Sequence, residues 1–488
     1  MSTINKANVI NGNTIQAQDI LNVIEALDGT TANSIVIQAD LSQGASSNTT
    51  NSSNSHAEGS GSIASGDYSH AEGHLTISSG GHSHAEGFNT TATGSYSHTE
   101  GYLTNAKGLA SHAEGHNTIS SGSYSHAEGA STEARGSYSH AEGFNTDAVG
   151  TYSHAEGVGT NASGSYSHAE GQITVAKGES SHAEGYNTDT VGLASHAEGY
   201  DTTSSGSYSH AEGYITNAKG LSSHTEGYNT IASGSYSHAE GYFTLAFGQA
   251  SHAEGRDNIA SGSYSHAEGY GTISSGDYSH AEGNATLASG SYSHAEGSSS
   301  LALGISSHAE GLATTASGDY SHAEGLGTKA LGDYSHAEGY DTLASDFGAH
   351  AEGYQTTASG DYSHAEGVYT KASGQYSHAE GAATRAFGEG SHAEGNSTIA
   401  SGSYQHASGK FNTHGDITSL FIVGNGTSDA VRKDAFKVTH SSSIVLNQTQ
   451  SAAPTWTGID GEIIPATVGG VYRLYMWMNG SWRLSTFT

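Results

Sequence analysis

The sequence predicts an all-β fold: a narrow parallel β-solenoid built from 14-residue coils. Three observations carry this. Histidine recurs every 14 residues from His56 to His406, in 26 copies without insertion or deletion. Two glycine columns keep the same register: Gly59 to Gly409 without a break, and Gly66 to Gly402 broken only at Asp346. Between the glycines, short segments alternate with period two, and no proline interrupts them. A strict period of this kind means stacked units, each resting on its neighbours. Glycine at fixed intervals marks corners that need positive φ or close backbone approach, and alternation bounded by glycine reads as strand. Aspartate at 346 is expected to be tolerated because it enters the left-handed region more readily than most residues.

The consensus unit is Ser-His-Ala-Glu-Gly-x-x-Thr-x-Ala-x-Gly-x-Tyr. In the second strand Thr and Ala share a face (Thr328 with Ala330, Thr342 with Ala344), while the alternate positions accept Lys329, Leu331, Lys371, Arg385 and Phe387. A face that varies so freely is solvent, so Thr and Ala point inward. By size, Ser and Ala of the first strand point inward too, which leaves His and Glu outside. Glutamate nevertheless fills 25 of its 26 positions, with Ser408 in the last. An outward face that does not vary is expected to meet another copy of the chain. An interior of Ser, Thr and Ala also buries too little apolar area to offset about 1–2 kcal/mol of backbone entropy per residue. A homotrimer follows as the expectation. Its axis is lined by His70 with Glu72, His168 with Glu170, His266 with Glu268, His364 with Glu366, and their equivalents.

Imidazole beside carboxylate is expected to raise the histidine pKa and lower that of glutamate, in hydrogen-bonded or salt-bridged rows. A second reading places a string of axial ions or waters along the row, with metal ions at His70, His168, His266 and His364, because imidazole and carboxylate are competent ligands for zinc and similar metals. Coils about 4.8 Å apart would crowd divalent ions, and no other cofactor is expected. Catalysis is not expected, since 26 identical sites without a cleft do not make an active site.

Ala358, Gly360, Ser363, Ala365 and Gly367 fit the string A-x-G-x-x-S-x-A-x-G. On a 14-residue turn this resembles the head repeat of the YadA-like trimeric adhesins, over residues 55–409. The resemblance implies a left-handed parallel β-roll on a three-fold axis. In that family the two outward positions are commonly aliphatic; here they are His and Glu, so a polar interface replaces an apolar one.

In chain order, residues 1–41 read as a small α/β cap that trimerises or attaches the chain. Asn13-Thr14 can cap a helix over 15–27, with Ile20, Leu21, Val23, Ile24 and Leu27 on or near one stripe. Asp28-Gly29 ends it, and 34–41 reads as a strand. Residues 42–54 are a polar linker. Residues 55–409 form the shaft, on the order of 125 Å at about 4.8 Å per coil. Tyrosine before Ser-His (Tyr68, Tyr96, Tyr124, Tyr320, Tyr334) and aromatics after the first glycine (Phe88, Tyr102, Tyr186, Tyr200, Tyr340) should stack as corner ladders. They serve packing or, on a second reading, carbohydrate contact. The threonine column faces inward, which argues against ice binding. Residues 410–488 form a β tip domain, with strand-like runs 420–423 and 435–438 around Gly424-Asn425-Gly426 and a hairpin turning at Asn479-Gly480.

Formal net charge is −33, with only 15 Lys and Arg, so no nucleic-acid partner is expected. No apolar run is long enough to span a membrane, residues 1–20 lack the core of a secretory signal, and the absence of cysteine leaves the redox compartment unread.

The segments 420–438 and 471–484, with the helix–strand start, are similar to the ends of phage tail-fibre proteins. This implies a structural fibre of a virion, tail or head, located outside the cell. It would bind virion or tail proteins through its N-terminal region and present its C-terminal tip to a host glycan or protein. The missing signal and the missing C-terminal membrane-anchor barrel favour that setting. Trp456, Tyr472, Tyr475, Trp477 and Trp482 are the candidate receptor contacts, since exposed aromatics suit glycan or receptor binding; packing in a small core is their alternative. The runner-up is a bacterial cell-surface trimeric adhesin, and the third reading a fibre with an enzymatic or self-cleaving C-terminal domain. No catalytic residue is assigned.

Overall fold

The computed structural model describes residues 35–36, 48–50, 52–446, 453–455, 457–458, 460, 462–468 and 471–484. None of the described residues is helical. The helix expected over 15–27 lies outside them, as does all but Ile35–Val36 of the strand expected over 34–41. The chain falls into two compact units, residues 1–202 and 203–488, taken here in turn.

In the first unit each coil contributes a strand that opens on the repeat histidine and a two-residue strand seven positions later. His140–Phe144 pairs in parallel with His154–Val158, histidine on histidine and glutamate on glutamate. Asp147–Ala148 pairs likewise with Asn161–Ala162. The inward columns are closed: Ala141 and Ala148 have no exposed surface, and Ser139 and Thr146 are buried. A serine hydroxyl in this core is satisfied locally, as Ser83 Oγ donates to Gly80 O at 2.6 Å and Ser97 Oγ to Gly94 O at 2.6 Å. The stack begins before the first repeat histidine. Thr49–Thr50 pairs with Ile63–Ala64, and Asn48 takes a threonine-column position, donating to Gly59 O and accepting from Ser62 N. Ile35–Val36 pairs in parallel with His56–Ala57. Asn48–Thr50 lie in the stretch read as a linker; without a histidine they carry no mark of the period.

The corners differ from the sequence reading. Each coil has three left-handed residues, and only one is in a repeat glycine column: Gly73 at φ 114°, then Leu75 at 56°, and His82 at 58°. The equivalent of His82 is usually tyrosine, as at Tyr96 and Tyr124. Positive φ in so bulky a residue is uncommon, and the hydrogen bonds account for it. Strand amides bond forward to the following coil, as His56 N does to Ser69 O. Corner amides bond backward, as Tyr96 N does to Gly81 O at 2.8 Å and Leu75 N to Ser60 O at 2.9 Å. Each coil is thus tied to both neighbours. The second glycine column is not left-handed. A Cβ on Gly94 would stand 1.8 Å from Gly108 O, so glycine is required there for room. Asp346 is not left-handed either, so the αL rationale for that substitution fails.

Thr99 replaces alanine in an inward column and is fully buried, its hydroxyl without a hydrogen bond. Its strand shrinks to His98–Thr99, and the next two to His112–Ala113 and His126–Ala127, against five residues at His84–Phe88 and His140–Phe144. The second unit repeats this at Thr225, where the strands are His224–Thr225 and His238–Ala239. The backbone bonds across the shortened stretch persist, Glu100 N to Ala113 O at 3.0 Å and Tyr102 N to Gly115 O at 2.8 Å, so the column takes the extra methyl and hydroxyl without losing the ladder.

The second unit is otherwise built of the same kind of coil, from His210–Tyr214 to His406–Lys410. It ends in a built cap. Ser419–Asn425 stacks in parallel on the last coil with Phe421 opposite His406, then pairs antiparallel with Asp434–Thr439, which pairs with Ile444–Leu446. The sequence reading put a turn at Gly424–Gly426; the strand instead runs through Asn425. Ile422 brings an isoleucine into the alanine column, fully buried. Gln405 replaces serine and closes the polar end of the core. Its amide donates to Asp416 O and Ser419 O, and its carbonyl accepts from Ser401 N. Lys437 bridges Asp416 at 2.9 Å and Asp434 at 2.7 Å. Burial works to raise the Asp416 pKa, but Lys437, Ser419 and Thr418 together hold it well below the carboxylate range. Antiparallel strands with paired charges cover what would be an open sheet edge. A separate three-stranded sheet follows, Ile463–Val468, Val471–Met478 and Ser481–Leu484. Its hairpin turns at Asn479 and Gly480, both at positive φ, as the Asn-Gly pair requires.

Candidate functional site

The outward rows are continuous in each unit. His70 and His84 stack with ring centroids 4.7 Å apart and planes 2° apart, and His154 and His168 stack at 4.8 Å and 2°. Parallel strands in exact register force this, because each imidazole sits directly above the one before. The four sequence-predicted pairs are brought together: His70–Glu72 at 3.8 Å, His168–Glu170 at 3.7 Å, His266–Glu268 at 3.5 Å and His364–Glu366 at 3.9 Å, each from Nε2 to Oε2. Many carboxylates also reach the histidine of the next coil, as Glu72 Oε1 does to His84 at 3.7 Å. These side chains are about a third exposed, 38% and 33% for His70 and Glu72. The Nε2 atoms of His70, His84 and His126 are nevertheless shut from solvent and make no hydrogen bond.

The expected direction of the histidine shift is overturned. Burial pushes the pKa of His70, His84, His112 and His126 down, and neighbouring imidazoles in the stack push the same way. His364 falls to about 4 for these reasons. The nearby carboxylates act in the raising direction and lose. At these positions an imidazolium–carboxylate pair is not what the geometry makes near neutral pH, while hydrogen bonds between the two rows do form, as between His140 Nε2 and Glu128 Oε1 at 3.3 Å and His392 Nε2 and Glu380 Oε1 at 3.2 Å. The glutamates do not all shift downward either. Hydrogen bonds to Glu72 and Glu100 push Glu86 up, while bonds to Glu114 and Glu86 hold Glu100 down. Glu114, bonded to Glu100 and Glu128, rises to about 7, and Glu128 falls. Glu226, Glu240, Glu254 and Glu268 in the second unit alternate in the same way. A neutral carboxyl donating to an anionic neighbour spreads the charge that 25 stacked carboxylates would otherwise concentrate. Beside Glu226–Glu268 runs an open groove floored by Gly241, Gly255 and Gly269, because the glycine column leaves the flank of the row without side chains.

The aromatic corner ladders form as expected. Tyr124, Tyr138, Tyr152 and Tyr166 stack at 4.8–5.0 Å, and Phe88, Tyr102 and His116 at 5.0–5.1 Å. In the second unit Arg256 bridges the gap between Tyr242 and Tyr270, 5.3 and 5.4 Å from their ring centres. Stacked rings cover one another's faces and turn their edges outward. A sugar ring needs a free face, so interior ladder positions favour packing over carbohydrate contact.

Of the candidate receptor contacts, Trp456 and the Tyr472 side chain lie outside the described residues. Tyr475 and Trp477 are buried, 8% and 9% exposed. Trp477 meets Trp482 across the hairpin, edge to face at 5.2 Å. The sequence reading missed the shared protons of the glutamate row; a carboxylate repeated every 14 residues in a parallel stack was the available signal.

Compared with known families, the chain matches the YadA head domain repeat in two copies, residues 226–251 and 295–321. Both stretches are coils of the second unit, so the solenoid carries YadA-like head repeats. No curated protein matches the chain.

Proposed function

We propose that this chain is the subunit of a homotrimeric adhesive fibre, with the histidine and glutamate rows of three chains facing one another along the axis. One observation carries the reading. An outward row that never tolerates a third residue type before Ser408 contains imidazole nitrogens, those of His70, His84 and His126 among them, that the single chain closes to solvent and leaves without a hydrogen bond among the described residues. Neighbouring chains would cover that row and supply partners. The small Ser, Thr and Ala interior points the same way, since such a coil gains more than most from association. The YadA head repeats support an adhesin-like fibre, and three-fold, left-handed assembly is what that family resemblance implies.

The setting we favour is a phage virion, attached through the N-terminal region, with the C-terminal domain turned to the host surface. It rests on the similarity of residues 420–438 and 471–484 to tail-fibre ends. The matched family equally supports a bacterial cell-surface adhesin as the second reading. Mass spectrometry of purified virions and of washed cell envelopes from the source separates the two: the chain is expected in virions, and its confinement to the envelope overturns the virion reading. Deleting residues 447–488 from the fibre is expected to abolish host-cell binding while leaving the coils intact.

A further inference from the structure

The geometry points to the histidine–glutamate row as a ladder of transition-metal sites, each holding one divalent ion such as Zn2+ between two successive imidazoles and the carboxylate that spans them. Glu72 turns Oε2 to His70 Nε2 at 3.8 Å and Oε1 to His84 Nε2 at 3.7 Å, and the three residues offer ligand atoms within 4.8 Å of one another. Glu114, Glu156, Glu254 and Glu366 reach two histidines in the same way, at 3.7–4.0 Å. Donors about 2.0–2.2 Å from a tetrahedral zinc stand roughly 3.4 Å apart, so the imidazole–carboxylate spacing needs only a slight contraction.

The two rings must also lean together, since His70 and His84 stack 4.7 Å apart. The row accommodates such a turn elsewhere. Between His294 and His350 successive ring planes lie 44–60° apart at similar centroid distances.

A separate observation points to a ligand. His70 Nε2 and His84 Nε2 are buried and make no hydrogen bond among the described residues, and a buried polar atom without a partner is costly. One ion would satisfy both nitrogens. Two imidazoles with a carboxylate suit zinc and its neighbours, whereas calcium and magnesium take oxygen ligands. A fourth position remains for water. All three donors come from one chain, so the site stands whether or not the chain trimerises.

Each histidine offers one Nε2 to the row and can serve one ion. His70–Glu72–His84 and His84–Glu86–His98 share His84 and exclude each other. Occupied sites therefore alternate with empty ones, and the load cannot exceed half of the 26 repeat histidines.

The test uses the full chain, stripped with EDTA, titrated with ZnCl2, desalted and measured for metal content. Several zinc ions per chain are expected, below the half-histidine ceiling, with X-ray absorption showing imidazole nitrogen and carboxylate oxygen around each. Replacing Glu58, Glu72 and Glu86 by Gln, with the fold checked by circular dichroism, is expected to remove one or two ions per chain. The urea-unfolded chain, with the same histidines but no row, is expected to retain far less. No retained zinc, equal retention by the unfolded chain, or an absorption spectrum without histidine ligands overturns the assignment. The spectrum of the unsubstituted chain decides the matter if the triple variant fails to fold.

Discussion

Glu114 and Glu128, one coil apart, share a hydrogen bond and titrate in opposite directions. Glu114, bonded to Glu100 and to Glu128, rises to about 7, and the bond to Glu114 holds Glu128 below its ordinary value. The outward row thus stores part of its charge as shared protons.

A pH dependence follows, with two limbs of different origin. Glu114, Glu184, Glu240 and Glu366 hold a proton up to about 7 in the folded chain. Because their folded pKa is raised, their contribution is whole below the unfolded value of 4.5 and is lost as pH rises through 7. His364 is lowered from 6.5 to about 4, so its contribution is whole above 6.5 and is lost as pH falls toward 4. The glutamates are expected to lower the melting temperature as pH rises toward 7, and the histidine to lower it as pH falls toward 4. Replacing the four raised glutamates by Gln should flatten the alkaline limb and leave the acid limb, as read by circular dichroism melts across the range. An alkaline limb unchanged in that variant would mean that the shared protons are not its source.

Two glycines separate room from handedness. A Cβ on Gly248 would lie 1.8 Å from Gly262 O, whereas one on Gly271, at φ 65°, meets nothing within 4 Å. Gly248→Ala is expected to disrupt its coil and cost several kcal/mol, of the order seen for severe core overpacking. Gly271→Ala should cost only about 1 kcal/mol, since Ala285 already occupies the equivalent position at φ 53°. Thermal melts of the two variants, compared with the parent, test this.

Thr99→Ala should stabilise its coil. It removes a buried hydroxyl without a partner, worth about 1–2 kcal/mol by the usual penalty for such a group. The melting temperature is expected to rise, and an unchanged melt would contradict the explanation.

Asp346 and Ala349 form a second coupled pair. Asp346 breaks the close-packed glycine column, and the serine three residues on is replaced by alanine. The backbone bond from Ala349 N to Asp346 O survives at 3.1 Å, while the hydroxyl bond of other coils is gone. One coil before, Ser335 also leaves its hydroxyl unbonded, while one coil after, Ser363 Oγ accepts from Gly360 N at 3.1 Å. Asp346→Gly with Ala349→Ser is expected to stabilise the coil by about 1 kcal/mol, the net worth of one hydrogen bond, measured by local hydrogen exchange.

Period, strand positions and the inward faces were legible because each column could be compared with itself 26 times. The corners were only half legible. Glycine advertises left-handed backbone, but Tyr96 and Leu75 adopt it because their amides must bond backward, a demand that no residue type announces. The ends were hidden for the opposite reason: Asn48 and Phe421 take column positions without the histidine that marks a repeat, and Phe421 follows His406 by 15 residues rather than 14. The site's residues were evident but its charge state was not, because at His70, His112 and His364 burial and like neighbours outweigh the carboxylates nearby.

Sedimentation equilibrium of the full chain near pH 6 tests the central claim most directly. Three chains of 49.8 kDa each are expected in the particle. A particle with the mass of one chain, its histidine and glutamate rows open to water, would contradict the account.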